Sequence, residues 1–174
     1  MTGGAAQRRR VVVIGVGNTY RRDDGIGQEV LSRLRARAAD DTADDTADGN
    51  PDDTVQLVTS DGEPASLVEA WTGASLAVVV DAVLAAAPGP PAPGRLHRIV
   101  LYRPDPVPAR PVSSHGLGLG EAVRLGVALG RMPDRLIIHA VEAADVGHGP
   151  GLSPAVAAAA GPLTAAVLRD LRAG

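Results

Sequence analysis

Hydrophobic and polar positions follow two rhythms along this chain, one suited to strands and one to helices. Val11-Val12-Val13-Ile14 is an unbroken β-branched run, which predicts a strand buried on both faces of a parallel α/β sheet. Gly15, Gly17 and Asn18 then turn the chain sharply off the strand. From Ile26 the period lengthens. Ile26, Val30 and Leu34 recur every four residues as the inner face of a helix. Asp23 and Asp24 stand where a helix start favours negative charge. The helix is expected to fade near Ala38. The tandem Asp-Asp-Thr-Ala repeat that follows is polar and self-repelling, so residues 39–53 read as a flexible acidic loop, with an acidic docking patch as the other reading.

Residues 54–59 predict a second strand, leading into Ser60-Asp61-Gly62. Glu63-Pro64 opens a second helix, where the missing proline N–H costs nothing, and Leu67, Val68 and Trp71 form its buried stripe. Residues 75–80 are a third, nearly all-apolar strand that ends on Asp81. Residues 85–94 are broken by four prolines and too short for a crossover helix, so the next strand, residues 96–102, is expected to run antiparallel. Residues 104–114 must then return the chain to the opposite rim. Eleven residues in extended polyproline form reach about 34 Å, against roughly 20 Å for a strand. That climb delivers His115 to the rim that carries Asp24 and Asp81, at the top of a helix running to about Arg131. A fifth strand, residues 136–141, ends on Glu142. Ser153-Pro154 opens the last helix, which Gly161-Pro162 is expected to kink. His97 and His139, inside strands, read as packing residues, and His148 is assigned no role.

Length and composition narrow the chemistry. The 174 residues fit one domain, 1–174, with a sizeable core. With 2% aromatic residues that core must be built from Val, Leu, Ile and Ala. No apolar run approaches the roughly 20 residues needed to cross a bilayer. Basic residues near the N-terminus lead into a strand rather than a signal-peptide cleavage site, so a cytoplasmic location is expected. There is no cysteine, which removes thiol nucleophiles, disulfides and Cys-ligated zinc. All 17 basic residues are arginine, which removes Schiff-base chemistry and a P-loop lysine. Seven of the 20 acids crowd into residues 40–53, leaving 13 against 17 arginines in a mildly basic body. Such a body suits an acidic partner surface or RNA, and the scarcity of bases' aromatic stacking partners favours protein over nucleic acid.

Two carboxylates and an imidazole at one rim, Asp24, Asp81 and His115, have the composition of a divalent-metal site. Oxygen and nitrogen donors without sulfur suit zinc, nickel or iron better than calcium. Asp81 alone could equally accept N–H bonds in the following turn. Neither a His-Glu-x-x-His nor a Gly-x-Ser-x-Gly motif is present. Three ligands would leave positions open for a metal shared with a second molecule.

Gly15-Val16-Gly17-Asn18 with Asp23-Asp24-Gly25-Ile26-Gly27, Asp61-Gly62, Asp81-Ala82, Ser114-His115-Gly116-Leu117-Gly118-Leu119 and Gly151-Leu152-Ser153-Pro154 stand in that order over nearly the whole chain. In these motifs the chain resembles the nickel–iron hydrogenase maturation endopeptidases. The resemblance implies an α/β/α sandwich around a five-stranded, mostly parallel twisted sheet with one antiparallel strand. It implies an endopeptidase that removes the C-terminal extension of a hydrogenase large-subunit precursor once nickel is in place. Asp24, Asp81 and His115 would be the metal-sensing residues. The nickel would belong to the substrate, with no intrinsic cofactor, and the protein is expected to act as a monomer. Asp24 or Asp61 would be the candidate if a carboxylate serves as general base. Many relatives carry Asp-Gly-Gly-Thr where this chain has Asp61-Gly62-Glu63-Pro64. Two rival readings fit less of the chain. Peptidyl-tRNA hydrolases share the Gly-x-Gly-Asn start but expect proline where Thr19 stands. A dinucleotide-binding module expects a third glycine at Tyr20 and an acid closing a second strand about 20 residues on.

Overall fold

The structure, a computed structural model, describes residues 9–43, 55–84, 90–103 and 117–173. In chain order the elements are β1 (Val11–Val16), a 3-10 helix (Arg22–Gly25), α1 (Ile26–Ala43), β2 (Val55–Ser60) and α2 (Pro64–Trp71). There follow β3 (Leu76–Val83), β4 (Leu96–Tyr102), α3 (Leu117–Ala128), β5 (Arg135–Glu142) and α4 (Pro154–Ala173). The strands form one sheet in the order β2-β1-β3-β5-β4. All neighbours are parallel except β4 on β5, so the expected antiparallel strand is in place.

The β-branched runs are buried on both faces because helices cover both. Val11 and Val13 point toward α1 and α4, packing with Ile26, Val30, Leu163 and Val167. Val12 and Ile14 point the other way, toward Leu67 and Trp71 of α2 and Leu119 and Val123 of α3. Each fully buried aliphatic side chain stabilises the fold by about 1.5–3 kcal/mol. Trp71, the chain's one tryptophan, is fully buried, and its indole N–H donates to the Arg131 carbonyl at 3.1 Å, so no polar atom is left unmet. No described helix is long and apolar enough to cross a membrane.

Two boundaries differ from the pattern-based expectation. Helix α1 continues to Ala43 rather than ending near Ala38, because alanine, the best helix former, carries it through the first Asp-Asp pair. Strand β3 runs two residues past Asp81, since its ladder with β5 continues through Asp81↔Ala140 to Val83↔Glu142. Helix α4 continues through Pro162 to Ala173. The remaining acidic residues, 44–53, and the proline-rich return, 104–114, lie outside the described residues.

The chain leaves β1 through α1 to reach β2 on one side, then crosses through α2 to β3 on the other. The carboxyl ends of β1 and β3 therefore diverge, making the crevice at which open α/β sheets bind ligands. One carboxylate holds that rim together. Asp23, in the 3-10 helix after β1, is fully buried. It accepts from the backbone N–H of Ala144 at 2.8 Å, Asp145 at 3.0 Å and Ser153 at 2.6 Å, and from the Ser153 hydroxyl at 2.9 Å. The loop after β1 is thereby stapled to the loop between β5 and α4. Burial works to raise the Asp23 pKa, but the backbone N–H groups outweigh it and hold the carboxyl below its ordinary range.

Replacing Asp23 with alanine strands several buried N–H donors, and we expect a loss of about 3 kcal/mol or more at pH 7, read by urea unfolding. A depressed acid contributes stability above its unfolded pKa and loses it as pH falls through the folded one. The gap between Asp23→Ala and the parent should therefore narrow below about pH 4.

Candidate functional site

Between the ends of β1 and β3 lies a cavity of about 150 Å³ whose lining includes Asp24, Asp61 and Asp81. Three of the four residues singled out from sequence thus share one cavity. The fourth, His115, lies outside the described residues. Arg21 also lines the cavity; sequence reading passed over it, although it stands one turn of 3-10 helix before Asp24.

The neighbours Asp23 and Asp24 look alike in sequence and do different things. Asp23 turns inward to staple the loops. Asp24 faces the cavity, accepts from the Asn18 N–H at 3.0 Å, and sits 3.9 Å from the Arg21 guanidinium. Gly17 lets it come this close. A β-carbon at Gly17 would fall 1.9 Å from the Asp24 carbonyl oxygen, and the backbone there has φ of +118°, which side chains rarely adopt. The Gly17-Asn18 turn and Asp24 are therefore one unit.

Asp61 is exposed on the turn after β2, with one carboxylate oxygen accepting from the Glu63 N–H at 3.1 Å. The departure from the usual glycine-threonine pair has a use here. Glu63 caps α2, accepting from Ala65 N–H at 3.1 Å and Ser66 N–H at 2.7 Å, and Pro64 takes the first helical position. The start of α3 closes the other wall. Gly118 lies so near the Gly62 carbonyl that a β-carbon would stand 2.3 Å from its oxygen.

Asp81 is the chemically unusual member. Its side chain shares the sheet side of Ala77 and Val79, facing α2 and α3, and the residue is 7% exposed. Burial pushes its pKa up to about 7; the Ala82 N–H opposes this and the charge of Asp24 adds to it. Among the described residues no three His, Asp or Glu side chains form a group that could hold a metal.

Two further clusters lie away from the cavity. His97 is not simply packed: it meets the buried Glu142 at 2.8 Å, and Glu142 also accepts from Ala92 N–H at 2.7 Å. On the other face of the sheet His139, 2% exposed, meets Asp170 at 2.8 Å, and Arg98 grips the same carboxylate at 2.6 Å. These pairs tie β4 to β5 and α4. His148 is exposed and does not line the cavity.

The sequence model of the HycI family, described as hydrogenase maturation protease, matches residues 46–170. That span holds Asp61, Asp81 and the position of His115, while Asp24 precedes it. Comparison with curated proteins gives no match. Among solved structures the chain is similar to the hydrogenase maturating endopeptidase HybD from E. coli, with 24% identity, TM-score 0.71, and 94% of this chain and 92% of that one covered. It is also similar to the [NiFe] hydrogenase maturation protease HybD from Thermococcus kodakarensis, with 18% identity, TM-score 0.63, and 92% and 97% covered. The hydrogenase 2 maturation peptidase from Thaumarchaeota archaeon SCGC_AB-539-E09 has 22% identity, TM-score 0.60, and 94% and 98% covered.

Asp81 yields a pH prediction. Between its ordinary pKa and about 7 the folded protein holds a proton that the unfolded chain has released, so stability falls as pH rises through that window. Asp81→Asn removes the charge, and we expect it to be more stable than the parent by about 2–4 kcal/mol at pH 8. The advantage should vanish near pH 4, as thermal or urea unfolding at the two pH values will show.

Proposed function

The chain belongs to the hydrogenase maturation protease family, an endopeptidase family, and from that premise we propose that it removes the C-terminal extension of a nickel–iron hydrogenase large-subunit precursor after nickel insertion. One observation carries the finer part of this reading: Asp24 and Asp81, from adjacent strand ends, line a single small cavity. Burial, with the charge of Asp24 adding to it, has raised Asp81 to about 7. A divalent cation entering the cavity offsets that cost and draws Asp81 into its charged form. Hard oxygen donors suit such an ion. His115 supplies the nitrogen donor in this reading. It precedes Gly118, which lines the cavity, by three residues.

The metal is the substrate's own. Asp24, Asp81 and His115 complete the coordination of nickel already seated in the precursor, and so set the scissile peptide at the rim. Asp61, the exposed carboxylate of the lining, is assigned the general base. It takes a proton from the attacking water as the oxygen bonds to the peptide carbonyl carbon. When the C–N bond breaks, that proton passes to the leaving nitrogen. Arg21, 3.9 Å from Asp24, offers that carboxylate a cationic neighbour before the substrate arrives.

Asp24→Ala, Asp81→Ala and His115→Ala should each lower processing of nickel-loaded precursor by about 100-fold or more, measured as product by mass spectrometry. Asp61→Asn should lower kcat with little change in KM. Undiminished cleavage by the first three variants would remove the nickel-recognition reading.

A further inference from the structure

Two more cavities continue from the acidic one, and neither has a part in the chemistry above. The next, about 370 Å³, shares Gly17 and Asp61 with it and is walled by Asn18, Tyr20 and Ser60. The last, about 390 Å³, shares Thr19 and Gln28 with the middle one and reaches Arg22 and Leu152. The three cavities share wall residues in succession, from the carboxylates past the β1–α1 loop to the start of α4, and we read them as one groove. We propose that this groove binds the C-terminal extension of the precursor as an extended chain, with Tyr20 as its anchor. The inference rests on the endopeptidase reading and deepens it.

Occupant and direction follow from the chemistry along the groove. At the cavity end sit three acids, Asp24, Asp61 and Asp81, two of which are assigned above to the substrate's metal. In the middle, beyond the shared Asp61, the polar walls are the neutral groups of Asn18, Thr19, Gln28 and Ser60, which suit a peptide main chain. The residues on the nickel side of the scissile bond belong to a folded subunit. Only the segment beyond the bond has a free end and can lie extended in a narrow groove.

Gln28 marks the junction of the two outer cavities. Its side-chain N–H donates to the Gly17 carbonyl, which fixes the amide's orientation, because a flip would face oxygen to oxygen. The other end, Oε1, is closed to solvent and, among the described residues, has no partner. An unmet buried acceptor costs about 1–3 kcal/mol, so the amide gains from a shift that turns Oε1 toward a peptide N–H at the junction. Tyr20 overlooks the same stretch. Its backbone is pinned, the N–H donating to the Asn18 side chain at 2.9 Å and the carbonyl accepting from Gly149 N–H at 2.9 Å. Its side chain nevertheless remains 75% exposed. A rigidly mounted, exposed aromatic offers contact area at little entropic cost. The chain spends one of its two tyrosines there.

The test is steady-state cleavage of the nickel-loaded precursor from the same organism, with its full extension and with the extension cut to two residues. On the full substrate we expect Tyr20→Ala and Leu152→Asp each to raise KM by about 10-fold with kcat nearly unchanged. Gln28→Leu, which keeps the shape and removes the acceptor, should also raise KM. Shortening the extension should raise KM for the parent enzyme, and the variants should add little to that loss, because partners in one contact are not additive. Equal variant effects on long and short substrates, or none on either, overturn the groove while leaving the protease reading intact. A parent enzyme that leaves the nickel-loaded precursor uncut overturns both.

Discussion

A single buried carboxylate underlies the geometry of the rim. Asp23 gathers four hydrogen bonds from the β5–α4 loop, and two backbone bonds between Arg22, Tyr20 and Gly149 extend the same seam. Arg22 holds a left-handed backbone, φ 48°, within it. Such a conformation costs a non-glycine residue about 1 kcal/mol or more and persists only where neighbours enforce it. What the strain accomplishes is visible one residue on. The tight turn sends Asp23 into the protein and Asp24 to the cavity wall, so that the cavity-lining carboxylate stands on a loop tied down on both sides. Positioning of this kind matters because a ligand group displaced by an ångström loses much of its effect.

The architecture was legible from the chain because its elements report on packing. Unbroken β-branched runs at β1 and β3 announce strands covered on both sides, and the proline-broken segment after β3 announces a reversal of direction. The order of the elements predicts Asp24, Asp81 and His115 at one rim; Asp24 and Asp81 line one cavity, with the general-base candidate Asp61 beside them, and His115 lies outside the described residues. Other features have no local signature. Nothing in Arg22-Asp23-Asp24 distinguishes the staple from the site, since both are aspartates at a helix start. The difference lies in partners more than a hundred residues away, at Ala144 and Ser153. The two histidine pairs were invisible for the same reason: His139 meets an acid on α4, and His97 meets one diagonally across the β4–β5 ladder. Helix α1 ran longer than its polarity suggested because alanine propensity needs no buried face at a helix end. The groove has no motif at all. It is made by neighbouring loops, and its walls are ordinary polar residues.

Asp81 shows how the fold bears a cost at its site. Its pleat position turns it toward α2 and α3, where it is buried and its charged form is disfavoured. Evolution toward stability alone would favour an uncharged group there. Keeping a carboxylate at this position gives a protein that is less stable at neutral pH than it could be, which is the usual trade between stability and activity.

That cost bears on the order of events in maturation. Without a cation in the cavity, the buried acid holds its proton near neutral pH and Asp24 leans on Arg21. On the proposed reading a precursor lacking nickel brings no cation to this cavity, whereas a loaded one brings the positive charge that draws Asp81 into its ionised form. The differential free energy between these two encounters is all the discrimination available to the enzyme. On the proposed reading most of it is concentrated at Asp81, because relief of a buried, repelled charge is worth more than the same contact made in water. On that reading the proposed groove would contribute equally to loaded and unloaded precursors, adding affinity without adding discrimination. The two tasks would then be independent: the acids would decide whether the peptide is cut, and the groove how well its tail is held.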